Sequence, residues 1–166
     1  DRQSLLVDPM CGSGTIAIEA AMWSANIAPG LTRERFGFER WANFDAEKAD
    51  DVKALRGELR RAASGNAARI MASDIDGAVL EAAKANARKA GVRLTFKQRD
   101  VLDLQAPADR GLVVTNPPYG VRLEKAPDFC QKVGGVFSRM HGWRICILAG
   151  STDYIRAISS KPKYTV

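Results

Sequence analysis

Ser4-Leu5-Leu6-Val7-Asp8-Pro9-Met10-Cys11-Gly12-Ser13-Gly14-Thr15 decides the fold of this 166-residue chain. Its first part is a short apolar run closed by an acid, the pattern of a buried strand. Pro9 to Gly14 is a tight turn with two glycines. A helix rich in Ala and Ile should follow from about Thr15 to Ile27, with Pro29-Gly30 as its stop. Gly12 and Gly14 would let a ligand come close to the backbone, and the helix start offers free N–H groups to an anion. The spacing is neither G-x-G-x-x-G nor a P-loop, which disfavours a dinucleotide or a triphosphate.

The same unit recurs along the chain. Arg69 to Asp74 reads as a second strand ending in an acid. Asp76 is placed to cap a helix with a Val79/Leu80, Ala83, Ala87, Ala90 stripe, and Gly91 follows as its C-terminal residue. Val92, Leu94 and Phe96 alternate with polar residues as a strand that leads to Asp100-Val101-Leu102-Asp103. Leu112 to Thr115 is a further buried strand, running into Asn116-Pro117-Pro118-Tyr119-Gly120. A helix from about Phe129 to Met140, a strand over Arg144–Leu148, a short helix near Tyr154–Ile158 and a strand-like Lys163–Val166 complete the series. Between the first helix and the second strand, Asp45 can cap an extra helix whose stripe is Ala49, Val52, Leu55, Leu59 and Ala62. Strands alternating with helices predict a doubly wound, mostly parallel α/β sheet, with ligands beyond the carboxyl ends of its strands.

The bulk properties narrow the functional classes. An apolar fraction of 46% and a charged fraction of 27% describe an ordinary globular chain of one domain, residues 1–166. No apolar run approaches a membrane span, and no signal peptide is expected from the opening residues. The chain starts at Asp1 without Met and stops in strand-like sequence, so it reads as a piece of a longer protein. Cys11, Cys130 and Cys146 are far apart, and with one histidine they give no metal-ligand spacing. Reduced thiols imply a cytoplasmic setting. The net charge of +6 is uneven, −3 over residues 1–83 and +9 over residues 84–166, which suits one face turned toward a polyanion.

Four strand ends carry polar side chains: Asp8, Asp74, Asp100 and Asn116. Asp8 could receive an ammonium group and the glycine turn a carboxylate. Asp74 could accept both hydroxyls of a ribose. Asp100 could accept from an exocyclic adenine amine while the Val101 N–H pairs a ring nitrogen. Together these contacts describe S-adenosylmethionine. Asn116-Pro117-Pro118-Tyr119 suits the other reactant. Two prolines remove two N–H donors and leave carbonyls, which with the Asn116 side-chain oxygen would hold a planar NH₂ group. Tyr119 supplies a stacking face for the base.

The segments DPMCGSGT and NPPYG and the strand-end acids resemble class I S-adenosylmethionine-dependent methyltransferases acting on exocyclic amines. DPMCGSGTIAIEAA, RFGFERW, ASDID and TNPPYGVRL resemble the THUMP-associated RNA guanine-N2 methyltransferases, and within them the bacterial enzymes of large-subunit ribosomal RNA. The resemblance spans essentially the whole chain. It implies a Rossmann-like class I methyltransferase fold, truncated before its last strand, with a THUMP-type RNA-binding domain ahead of Asp1. It also implies that S-adenosylmethionine is converted to S-adenosylhomocysteine and that the substrate is RNA. Asp8, Gly12, Gly14, Asp74, Asp100 and Val101 map onto the cofactor site, with Met10, Cys11, Thr15, Ile75 and Asn116 completing the candidate set. Asn116, Pro117, Pro118 and Tyr119 are the candidates for the target-amine site.

The reaction expected is transfer of a methyl group to the N2 amine of a guanine in 23S ribosomal RNA. Adenine-N6 methylation of DNA or RNA, guanine-N2 methylation of transfer RNA, and glutamine methylation of a protein are the competing enzyme readings. Asn116 follows the glycine turn, the reverse of the order in many DNA amino-methyltransferases, which weakens a DNA reading. A cofactor-binding RNA-docking module without catalysis is the rival from another class. No catalytic histidine is required, and His141 reads as a surface or capping residue. A Cys11 nucleophile is disfavoured because the NPPY turn suits nitrogen. Arg33, Arg35, Phe36, Phe38, Arg40 and Trp41 form either an RNA wall or a loop packed on the sheet edge, and Arg122 is a candidate phosphate contact.

Overall fold

The structure, a computed structural model, describes residues 4–65, 68–118, 128–148 and 153–158. Its strands are β1 (Leu6–Asp8), β2 (Ile70–Asp74), β3 (Thr95–Gln98), β4 (Gly111–Thr115) and β5 (Trp143–Ile147). Its helices are α1 (Thr15–Ser24), α2 (Ala46–Ala62), α3 (Gly77–Ala90), α4 (Phe129–Ser138) and α5 (Asp153–Ala157). All the pairings are parallel, in the order β3-β2-β1-β4-β5. Leu6 sits opposite both Ile70 and Leu112, so β1 lies at the centre. This is the doubly wound sheet predicted from the alternation of elements. The final strand over Lys163–Val166 lies outside the described residues.

Alternation along the strands builds two cores. Leu5, Val7 and Val113 face one side and pack with Val133, Val136, Phe137 and Tyr154. Ile70 and Ala72 face the other, where they meet Ala17, Ile18 and Ala21 of α1 and Leu80 and Ala87 of α3. Period-two alternation places successive residues on opposite faces, so a strand clad on both sides reads as continuously apolar. Gly111 is required at the foot of β4, because a Cβ there would stand 2.5 Å from the Trp143 ring.

Local chemistry explains the helix limits. Asp76 caps α3 by accepting from the Ala78 and Val79 N–H groups, and Gly91 ends it in the left-handed region. Asp45 caps α2 through the Lys48 N–H. Two sequence expectations need correction. Helix α1 stops at Ser24 and not Ile27, because Asn26 takes a φ of 55° and turns the chain before Pro29-Gly30. The α2 stripe does not face the core. No residue of α2 is buried and Leu55 is 54% exposed. The half-buried positions are Val52, Arg56, Gly57 and Leu59, because α2 leans on the aromatic loop ahead of it, with Arg56 held 5.0 Å over the Phe36 ring.

Candidate active site

The strand order brings the four polar strand ends onto one rim. Reading across the sheet, Asp100 follows β3, Asp74 ends β2, Asp8 ends β1 and Asn116 follows β4. The order in which strands are added reverses between β1 and β4, since β2 and β3 build outward on one side and β4 and β5 on the other. Open α/β sheets bind ligands at that switch point.

The glycine turn is bolted to β2. The Cys11 N–H donates to the Ser73 carbonyl at 2.9 Å, and the Gly12 N–H donates to Asp74 Oδ2 at 2.9 Å. Asp74 Oδ1 accepts from the Asp76 N–H at 3.1 Å. Each Asp74 oxygen retains a second lone pair for a ligand hydroxyl. The two glycines differ in role. Gly12 has φ +53°, and a Cβ built on it meets nothing within 4 Å, so the space above it is open. Gly14 has φ +90° and faces the protein, where a Cβ would lie 3.1 Å from Ile18 and 3.2 Å from Ala83. Gly14 therefore sets the approach of α1 to α3, and Gly12 borders the open space. Thr15 is exposed at the start of α1, and Met10 is half-buried against the core.

Asp8 lies beneath this turn and is 1% exposed. Burial pushes its carboxyl up to about 6, against the opposing pull of the Thr115 hydroxyl and the Met10 N–H. Thr115 Oγ1 is itself buried and completes no hydrogen bond of normal geometry among the described residues. Thr115 is a buried neighbour of Asp8 that sequence reasoning missed. A polar residue closing the Val113-Val114 run was the available signal. Burial, with Asp8 and Asp74 nearby, pushes the Cys11 thiol up to about 12, which disfavours the thiolate.

Further along the rim, Asp100 caps a 3-10 turn over Val101–Asp103 by accepting from the Leu102 N–H at 2.9 Å. Val101 is buried beneath it. Ile75 stands 65% exposed just past Asp74, an apolar surface beside the acid that suits the face of a base. Asn116 is exposed while Pro117 is fully buried and Pro118 half-buried, so the turn is anchored and its amide side chain projects. Tyr119 and Arg122 lie outside the described residues. His141 is at the foot of β5, the end opposite the rim. Phe36 and Phe38 stack at 5.4 Å, and Phe38 meets Trp41 and Phe44 edge-on, so most of this aromatic loop packs on itself. Trp41 remains exposed. Among the described residues no cluster of three His, Cys, Asp or Glu could hold a metal, and no helix is long and apolar enough to cross a membrane.

An open Gly12 backbone, an acid with spare lone pairs and an exposed Ile75 fit a nucleoside bearing an amino acid, on the rim of a Rossmann-like class I methyltransferase fold. Residues 1–165 match the model of the RMKL-like methyltransferase domain, and the chain belongs to that family. It is 40% identical over 165 residues to the Ribosomal RNA large subunit methyltransferase K/L of Shewanella sp. (strain MR-4), covering 94% of this chain and 23% of that protein. The Shewanella amazonensis relative of the same name is 38% identical over 170 residues, which is 97% of this chain and 24% of its own. The chain thus spans about a quarter of the curated relatives it matches.

Solved structures agree on the fold. A possible methylase from Clostridium difficile 630 superposes with a TM-score of 0.84 at 33% identity, covering 97% of this chain and 43% of that one. SMU.472, solved in complex with SAH, gives 0.83 at 34%, covering 98% and 44%. A "predicted N6-adenine-specific DNA methylase" from Listeria monocytogenes gives 0.83 at 36%, covering 97% and 43%. The cofactor expected from the sequence, S-adenosylmethionine, agrees with the SAH held by SMU.472.

Proposed function

We propose that this chain is the catalytic part of an RNA methyltransferase that methylates the exocyclic N2 amine of a guanine, with large-subunit ribosomal RNA as substrate. The carrying observation is the exposed Asn116 at the end of the strand next to that of Asp8, two strands along the rim from Asp74. The names of the curated relatives and the basic second half of the chain support an RNA substrate. An RNA-binding domain of the THUMP type, outside this chain, would deliver the base.

S-adenosylmethionine, when bound, supplies an electrophilic methyl group on a sulfonium. Asp74 would hold the ribose, Ile75 and the 3-10 turn at Asp100 would frame the base, the glycine turn would border the amino-acid carboxylate, and Asp8, buried beneath that turn, would supply negative charge toward the ammonium. Asn116 Oδ1 and the Pro117 carbonyl accept the two hydrogens of the target amine. That pairing orients its lone pair out of the ring's conjugation, and Tyr119 stacks on a base flipped out of the RNA. As the nitrogen gains its methyl group it becomes acidic and releases a proton to solvent, so no buried base is required. Alignment of the reactants carries most of the acceleration.

Mass spectrometry of nucleosides from ribosomal and transfer RNA of cells lacking the gene tests the assignment. Loss of N2-methylguanosine from large-subunit RNA is the expected result. Loss from transfer RNA would move the substrate. Loss of N6-methyladenosine would favour the adenine reading suggested by the Listeria relative's name. Unchanged modification, with cofactor binding intact, would favour a docking module.

A further inference from the structure

Two successive prolines leave the Asn116–Pro118 turn with acceptors and no donors of its own beyond Asn116, so a donor from elsewhere can fix it. Tyr154 of α5 is placed to do so. It is 2% exposed, and its hydroxyl donates to the Pro118 carbonyl oxygen at 3.4 Å, a long bond that is part-buried. Its other polar neighbour is the buried thiol of Cys130 on α4. Helix α5 reaches this place because residue 134 of α4 is glycine. A Cβ on Gly134 would stand 2.5 Å from the Ala157 carbonyl oxygen and drive the two helices apart. Burial, and then Cys130, push the phenol above its ordinary pKa, so it remains a donor throughout the working pH range.

We propose that Tyr154 is a positioning residue for methyl transfer: it engages the Pro118 carbonyl, withdraws that acceptor from the site and fixes the turn so that Asn116 Oδ1 and the Pro117 carbonyl alone receive the target amine. This rests on the function proposed above. It adds a residue from a helix far from the strand-end motifs, which acts through Pro118 and touches neither reactant.

Tyr154→Phe in the intact protein keeps the ring and removes the hydroxyl. The expected result is a kcat lower by about tenfold, with the KM and Kd for S-adenosylmethionine within about twofold and the melting temperature nearly unchanged. The carbonyl ¹³C resonance of Pro118 should move upfield in the variant. Wild-type kcat, or a loss of kcat matched by equal losses of cofactor affinity and melting temperature, would overturn the assignment. If the wild-type protein methylates no RNA, the proposed function falls and the role in methyl transfer with it, while the resonance still decides the contact: an unmoved Pro118 carbonyl overturns it and an upfield shift sustains it.

Discussion

The Gly12 N–H donates to Asp74 Oδ2 at 2.9 Å, joining two residues 62 positions apart. One carboxylate thereby holds the glycine turn in place and keeps lone pairs for a ligand. Asp74→Ala removes both services at once. Charge-assisted hydrogen bonds contribute about 1.5–3 kcal/mol each, so S-adenosylmethionine affinity should fall by at least about tenfold, and the melting temperature with it. Calorimetric titration and thermal unfolding of the same sample check this. Unchanged affinity would remove Asp74 from the cofactor site.

The two glycines separate binding from folding. Gly14→Ala meets Ile18 and Ala83 at 3.1–3.2 Å in a left-handed backbone, so it should destabilise by roughly 1–3 kcal/mol. Gly12→Ala has open space around it and carries only backbone strain, on the order of 1 kcal/mol. Its Cβ enters the volume assigned to the cofactor. Denaturant melts should therefore rank Gly14→Ala as the less stable variant, and cofactor titrations of the folded proteins should rank Gly12→Ala as the weaker binder.

Asp8 makes the site sensitive to pH. Its folded pKa of about 6 lies above the ordinary 3.8, so the folded state holds the proton more tightly than the unfolded state. The stability this confers is fully present below 3.8 and is lost as pH rises through 6. At pH 8 the buried charge costs roughly 3 kcal/mol, which Asp8→Asn should recover at pH 8 and not at pH 3.5. An ammonium beside Asp8 would lower its pKa, so wild-type cofactor affinity should rise with pH through about 6 and then level. Asp8→Asn should bind the cofactor more weakly and lose that pH dependence. Urea melts at the two pH values and titrations across the interval test both statements.

Asn116 is exposed, whereas the Gly12–Asp74 pair and its partners are built from β1 and β2. Asn116→Ala in the intact protein should leave the Kd for S-adenosylmethionine within about twofold while lowering kcat by about 100-fold, the scale for losing an interaction that orients the reacting group. Single-turnover methyl transfer to ribosomal RNA reads the second quantity. Full turnover would remove Asn116 from the target site.

The rim was legible in the sequence because each central strand is an apolar run with an abrupt polar end. The run marks burial on both faces, and the polar residue marks where the strand emerges. The caps of α2 and α3 were legible because Asp45, Asp76 and Gly91 act locally. The face of α2 was not. A stripe at helical spacing specifies which residues share a side but not what covers that side, and Arg56 over Phe36 belongs to no apolar pattern. The burial of Asp8 and its approach to the Thr115 hydroxyl depend on β1 and β4 being neighbours, a pairing of residues more than 100 positions apart. Tyr154 was invisible for the same reason, since its value comes from Gly134 and Pro118.

The central claim is that the ends of β1, β2 and β3 grip a sulfonium nucleoside and present it to Asn116. A crystal structure of the intact protein with S-adenosylhomocysteine tests it most directly. The account predicts the ribose on Asp74, the base between Ile75 and the turn at Asp100, and the sulfur open toward Asn116. Ligand bound elsewhere, or a rim blocked by another part of the chain, would contradict it.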